Sequence, residues 1–381
     1  MSRKSLSASA AERAADLAVE LAAALVRIPS ESSEAVATDL RDPEGRVGEY
    51  LGAFCQRQGL EHEFQAVVVG RRNLVVRRRR PEAPAVVLAA HMDTVSAAGM
   101  EEPFAGKLHD GRLWGRGACD DKGPLATALA VLACLDRPAY DITLVATVDE
   151  ECSLAGAATA AARLPAFDLG IALEPTECRV VVAHKGMLRL EIATSGVAAH
   201  SSAPDQGVNA ISRMVPVIAE LESLHRELQA GADSQLGPPT VTVTTVHGGS
   251  SLNIVPDRCT ATVDVRLLPG MAATAMVDDI RARLGEGVSV RVLFDAPGIR
   301  TDGDNPLVQR LRDAVRLQGG DDTPAAVSFA TDCSRLSVKG PCIVWGPGSI
   351  RQAHQREEWI ALDEIRRACA VLHRFLAAEG R

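Results

Sequence analysis

Apolar positions change their spacing twice along this chain. Up to about residue 30 they recur at helical intervals: "AAERAADLAVELAAALV" gathers Ala, Leu and Val on one face and charges on the other, which predicts an amphipathic helix. From residue 85 to about 173, continuous apolar runs alternate with helical stretches: "AVVLAA" before His91, "PLATALAVLACL", "DITLVATV", "AGAATAAARL", then "LGIAL" ahead of Glu174. Unbroken runs predict strands buried on both faces. The region therefore reads as α/β, a mostly parallel sheet flanked by helices. After Lys185 the texture becomes half-buried alternation. In "MLRLEIATS", Leu188, Leu190 and Ile192 share one face, and "CTATVDVRL" alternates likewise. The order strand (187–194), helix (207–228), strand (240–247), strand (257–267), helix (272–284), strand (288–294) predicts a ferredoxin-like βαββαβ unit. The first texture resumes in "PCIVWGPG" and in the amphipathic "LDEIRRACAVLHRFLAAEG". The expected organisation is a discontinuous domain, 1–184 with 295–381, carrying a smaller inserted domain, 185–294.

Composition narrows the classes of function. A chain of 381 residues, 46% of them hydrophobic, can bury a sizeable core in two domains. Its net charge of −8 is offset by no basic stripe except "RRRR" at 77–80, which reads as a solvated strand end, so nucleic acid is not an expected partner. The early basic and serine residues suggest a transit peptide, but acidic residues interrupt them, and the spacing is that of a helix. Nothing offers about eighteen uninterrupted apolar residues, so no membrane span is expected. A cytoplasmic protein follows. Nine cysteines scattered singly, with no C-x-x-C, suit reduced thiols better than disulfides or a thiolate metal site.

Chemistry gathers where the predicted strands end. In open parallel sheets the carboxyl ends of the strands form the ligand crevice. Here those ends carry His91 and Asp93 in "AAHMDTV", Glu150 and Glu151 in "TVDEECS", Glu174 in "LEPTE" and His354 after "GPGSIRQA". "WGRGACDDKGPL" adds Asp120 and Asp121 in a Gly-rich turn before a helix, with Pro124 suited to its first turn. Each has a plainer explanation alone: a core histidine held by a carboxylate, a solvated acidic loop edge, or acids favoured by a helix dipole. Their shared placement on one rim outweighs these. Two imidazoles with several carboxylates make a donor set for two divalent ions, zinc or cobalt being favoured by the histidines. Either Asp120 or Asp121 could face the metals on spacing alone.

The ordered motifs "HMDTV", "GRGACDDKG", "DEE", "EPT", "HKG", "AHSSAPDQGVNAI", "NIVPD", "DVRLLPGM" and "GPGSIRQAHQ" resemble the dinuclear zinc amidohydrolases. That family includes acetylornithine deacetylase, succinyl-diaminopimelate desuccinylase, aminoacylase and glutamate carboxypeptidase. The resemblance runs from about Leu25 to the C-terminus and implies a zinc-peptidase-like catalytic domain with an inserted lid used for homodimerisation. It implies that His91 and Glu174 ligate one metal, Glu151 and His354 the other, and that Asp120 bridges them. Asp93 would accept a hydrogen bond from the far nitrogen of His91, and Glu150 would be the general base. His200 would steady the oxyanion across the dimer interface, joined by Asn253 and by Arg266 as receptor for an α-carboxylate. Plainer roles for these are a helix-capping histidine and a strand-surface salt bridge.

Within the family, "VHGGSSLNIVP" and "GPGSIRQAHQREEW" look most like the deacetylases of N-acetylated ornithine, which implies a place in arginine biosynthesis. "FATDCSRL" departs from that pattern, and Asp332 within it is either a contact for a cationic substrate amine or a structural loop acid. The expected substrate is thus an N-acyl amino acid. A desuccinylase or a dipeptide or glutamate carboxypeptidase is the rival enzyme, and a metal- or ligand-binding relative without turnover is the rival from another class. A thiol hydrolase lacks support, because Cys119 and Cys152 sit beside carboxylates that disfavour a thiolate.

Overall fold

A computed structural model describes residues 9–32, 43–68 and 70–378. The basic and serine residues at 1–8, on which a transit-peptide reading turns, lie outside them. The chain divides into a larger unit, residues 1–182, 300–325 and 331–381, and a smaller one, residues 183–299 and 326–330. The short segment 326–330, part of "AVSFATDC", belongs with the smaller unit, where the N–H of Lys185 donates to the carbonyl of Val327 at 3.2 Å.

In the larger unit the sheet runs in the order Glu61–Val68, Arg71–Arg78, Asp141–Thr147, Ala85–His91, Leu169–Ala172, Cys342–Val344. The last four are parallel neighbours, and the first two join antiparallel at the edge. Leu169–Ala172 and Cys342–Val344 are buried throughout, as strands covered by helices on both faces must be. Helix Lys122–Cys134 is apolar all round and buried from Lys122 to Leu132, sharing one core with Ala10–Val26 and Leu362–Leu376. Trimming Leu129 there to alanine would cost about 2–5 kcal/mol. Ser9 starts the first helix with a capping box, its hydroxyl accepting from Glu12 N and Glu12 accepting from Ser9 N. The expected basic strand end is present: Arg77 and Arg78 close the second strand of the sheet, and Arg77 pairs with Glu63 across the hairpin. Helix Gly45–Gln58 before the hairpin buries Val47, Leu51, Phe54 and Cys55 at helical spacing, and neither it nor the hairpin is among the elements expected above.

The smaller unit is a four-stranded antiparallel sheet in the order Thr240–Gly248, Arg258–Leu267, Gly186–Ser195, Val288–Ala296. Helices Ala210–Leu228 and Ala273–Leu284 supply the rest of its core. Strict alternation decides which face is covered: Leu188, Leu190 and Ile192 are buried with Val263 and Val265, while the residues between them are partly exposed. This is the βαββαβ order of a ferredoxin-like unit.

Candidate metal centre

The parallel register lines up the strand ends. His91 ends its strand directly beside Thr147, and Ala89 beside Ala172, so Glu150, Glu151 and Glu174 follow on the same rim. Cys342–Val344 enters there through "WGPG". At Gly346 an added Cβ would stand 2.6 Å from the carbonyl oxygen of Glu174, so only glycine lets the two segments approach this closely. His354 follows on a loop with a left-handed backbone, φ 59°.

Asp120 lies between the two imidazoles. Its Oδ1 is 2.9 Å from His91 Nε2 and its Oδ2 is 3.4 Å from His354 Nε2. His354 Nε2 also stands 3.1 Å from Glu151 Oε1. Donor atoms of His91, Asp120 and Glu151 lie within 4.8 Å of one another. Asp121, joined to Asp120 by a cis peptide, turns elsewhere: its Oδ2 accepts from the backbone N–H of His91 at 3.0 Å. Glu174 is buried nearby, and Glu150 is half-buried.

Other residues hold this set in place. His91 Nδ1 is 3.0 Å from the carbonyl oxygen of Asp93 and 3.6 Å from its carboxylate, so the backbone oxygen is the nearer acceptor. The Asp93 carboxylate instead accepts the N–H groups of Glu150 and Glu151, at 3.2 and 3.1 Å. Glu358, 1% exposed, grips the loop that carries Asp120. It accepts from Arg116 Nη1 at 2.6 Å and from the N–H groups of Gly117, Cys119 and Asp120 at 3.0, 2.9 and 3.1 Å. Neither Glu358 nor Arg116 stands out in the sequence reading. The signal for Glu358 was its place just before "WIA", a strand that pairs with Arg112–Trp114 next to this loop.

Buried carboxylates outnumber imidazoles, and their protonation reflects it. Burial and then the neighbouring Glu174 push Glu150 well above the ordinary carboxylate range, and burial followed by Asp120 does the same to Glu174. At Asp120 burial acts upward but is outweighed by the bonds to His354 and His91, which hold it low. Asp120 and then Glu151 push His354 up to about 10. Such a set favours added positive charge among it. Asp121 Oδ1, buried with no hydrogen-bond partner among the described residues, adds to that demand. Oxygen and imidazole donors at this spacing fit divalent ions of the zinc or cobalt kind.

Asp332 is 2% exposed; its Oδ2 accepts from Thr147 Oγ1 at 2.6 Å, and its Oδ1 is buried with no hydrogen-bond partner among the described residues. In the smaller unit, Ala199–His200 pairs with Ile254–Val255, and Ser201 N donates to Asn253 O, which brings His200 and Asn253 together. His200 Nδ1 lies 2.7 Å from Ser202 Oγ, and Asn253 Oδ1 accepts from Ser251 Oγ at 2.7 Å. Arg266 does not join them within one chain. It pairs with Asp264 at 2.8 Å, at the far end of Arg258–Leu267 from the end where Arg258 faces Ser195. That separation is eight residues of strand, roughly 27 Å.

A parallel-sheet rim of buried carboxylates and imidazoles, on a chain interrupted by a ferredoxin-like unit, defines a class of α/β protein built to hold cations at its strand ends. The pattern of peptidase family M20/M25/M40 matches residues 87–378, and the chain belongs to this family of hydrolases. It is 33% identical over 311 residues to acetylornithine deacetylase of Myxococcus xanthus, covering 77% of this chain and 80% of that protein. With acetylornithine deacetylase of Edwardsiella ictaluri it shares 32% identity over 370 residues, 91% of this chain and 94% of the relative. Among solved structures, a tripeptidase from Staphylococcus aureus matches with TM-score 0.75 at 23% identity, over 95% of this chain and 97% of that one. A dinuclear metal-binding peptidase of the M20 family from Bacillus subtilis matches with TM-score 0.70 at 15% identity, over 95% and 97%. These structural likenesses support the fold.

Proposed function

We propose that the chain is a two-metal deacylase that removes an acyl group, acetyl above all, from the α-nitrogen of an amino acid, with Nα-acetylornithine as the preferred substrate. The single observation that carries the reading is Asp120 set between His91 and His354, with Glu151 against the second imidazole. His91 and Glu174 would hold one ion, Glu151 and His354 the other, and Asp120 both. When bound, two such ions acidify an attacking water and polarise the acyl carbonyl. Glu150 does the remaining work. It precedes a ligand without being one, takes the proton from the water and delivers it to the departing amine nitrogen. Asp93 serves it by holding the N–H groups of Glu150 and Glu151.

The same reading gives the inserted unit a share in substrate binding and dimer formation. His200 and Asn253 act in the site of a second copy, and Arg266 exchanges Asp264 for the substrate's α-carboxylate as a planar fork would. Support for the acetylated substrate is the pair of deacetylase relatives, each covering more than three quarters of the chain. A cytoplasmic setting accords with nine unpaired cysteines. The test is a panel of N-acetyl, N-succinyl and N-glutaryl amino acids, with ornithine, citrulline and diaminopimelate derivatives, on zinc- or cobalt-loaded protein. Fastest release from acetylornithine is the expected result. Preference for a succinyl compound would overturn the substrate and leave the chemistry standing.

A further inference from the structure

Asp149 shares a turn with Glu150 and Glu151, and three distant segments meet on it. Arg71 opens the strand Arg71–Arg78, Glu44 precedes the helix Gly45–Gln58, and Asp149 follows the strand Asp141–Thr147. All three are buried, with exposures of 3%, 1% and 3%. Arg71 forks onto Glu44, Nε donating to Oε2 at 3.0 Å and Nη2 donating to Oε1. Its Nη1 donates to Asp149 Oδ1 at 2.6 Å. Glu44 Oε1 accepts the backbone N–H of Asp149 at 3.1 Å, so the pair grips main chain and side chain of one residue. Asp149 in turn receives Ser153: its Oδ2 accepts from the hydroxyl, and its carbonyl accepts the N–H groups of Ser153 and Leu154 at 3.1 and 2.8 Å.

The backbone of Asp149 is left-handed, φ 65°. For a non-glycine residue that conformation costs on the order of 1–3 kcal/mol and lasts only where its surroundings impose it. Stability alone explains the network poorly, since a buried ion pair often does no better than apolar residues of the same volume. What it does fix is direction. The next two residues are tied to Asp93 from the other side, so the turn is held between Asp93 and Arg71.

Resting on the two-metal reading above, we propose that Arg71, acting through Glu44 and Asp149, is a positioning residue that sets where Glu151 meets its ion and where Glu150 meets the attacking water. Without it the turn can pivot on Asp93, and a displacement near 1 Å costs roughly 100-fold in rate. His91 and Glu174 stand on other strands and keep their places. The effect therefore falls on one metal equivalent of the two.

Calorimetric titration of the metal-depleted full chain with cobalt tests this, alongside kcat and KM on an N-acetyl amino acid and melting of the metal-free protein. Arg71→Met is compared with Arg71→Lys and with the triple variant Glu44→Gln/Arg71→Met/Asp149→Asn, which leaves no charge unpaired if the single change prevents folding. In Arg71→Met or the triple variant, one cobalt equivalent should weaken roughly 10–100-fold while the other holds, with kcat falling on the same scale. KM should stay within about twofold, and Arg71→Lys should recover part of the loss. A folded variant with both equivalents and kcat as in the unaltered chain overturns the proposal. So does equal weakening of both equivalents, or failure of the single and triple variants alike to fold, because the network would then hold the fold and not the turn. If the unaltered chain takes up no cobalt, the two-metal reading itself falls.

Discussion

The acids of the larger unit and the polar residues of the smaller one are held in opposite ways. Asp93, Asp120 and Glu151 are tied to residues tens or hundreds of positions away: Asp93 to residues 150 and 151, Asp120 to His91 and Glu358, Glu151 to His354. His200, Asn253 and Arg266 hold on to neighbours two positions along, Ser202, Ser251 and Asp264. A long-range bond cannot be exchanged without moving the fold, whereas a bond to a neighbour two residues away can. The first arrangement is preorganised for chemistry. Under the proposed function, the second would be free to change partners when a substrate arrives.

Substitutions can break this contrast, and the largest effect is expected at Glu150. Glu150→Ala should lower kcat by roughly 10²–10⁴-fold, while metal content measured by plasma mass spectrometry stays as before; near-normal turnover would remove Glu150 from its role. Glu358→Gln comes next. It keeps the shape but loses the charge that gathers four donors around the Asp120 loop, so metal affinity and kcat should fall roughly 10–100-fold together. In the smaller unit the expected change is of another kind. Arg266→Leu should raise KM about tenfold with kcat little altered, and a fall confined to kcat would count against its role as carboxylate receptor.

The smallest effect concerns stability. Burial pulls the His184 imidazole down to about 4, with its bond to the Lys185 carbonyl opposing. The unfolded chain, with an ordinary imidazole near 6.5, then binds the proton more readily than the folded one. Stability from this group is complete above pH 6.5 and is lost as pH falls toward 4, by at most about 3 kcal/mol. His184→Asn should make the fall in melting temperature across that range shallower, and an unchanged slope would place the acid sensitivity elsewhere.

Legibility in the sequence followed the same contrast. Elements of the smaller unit were readable nearly to the residue, 187–194 against Gly186–Ser195 and 257–267 against Arg258–Leu267, because one-faced burial writes a period of two into the chain. The strand-end histidines and acids were readable because apolar runs point to them. What supports them was readable only in part. Asp93 was expected to serve the His91 ring, but its carboxylate, like that of Glu358, accepts backbone N–H groups, which no motif marks. Arg71 and Asn73, two polar positions on one side of the apolar "LVV" strand, are buried, yet only the fold reveals Gln65, Glu44 and Asp149 opposite them. Asp120 and Asp121 were indistinguishable by spacing and are distinguished by what each faces, imidazoles for one and a backbone N–H for the other.

On the proposed function, amide hydrolysis depends on the strand-end cluster holding two ions. The most direct test follows the rate of ornithine release from Nα-acetylornithine while metal-depleted protein is titrated with zinc or cobalt. No release is expected without metal, and the rate should climb to a plateau near two ions per chain. Release that persists in excess chelator, or none at any metal loading, would contradict it.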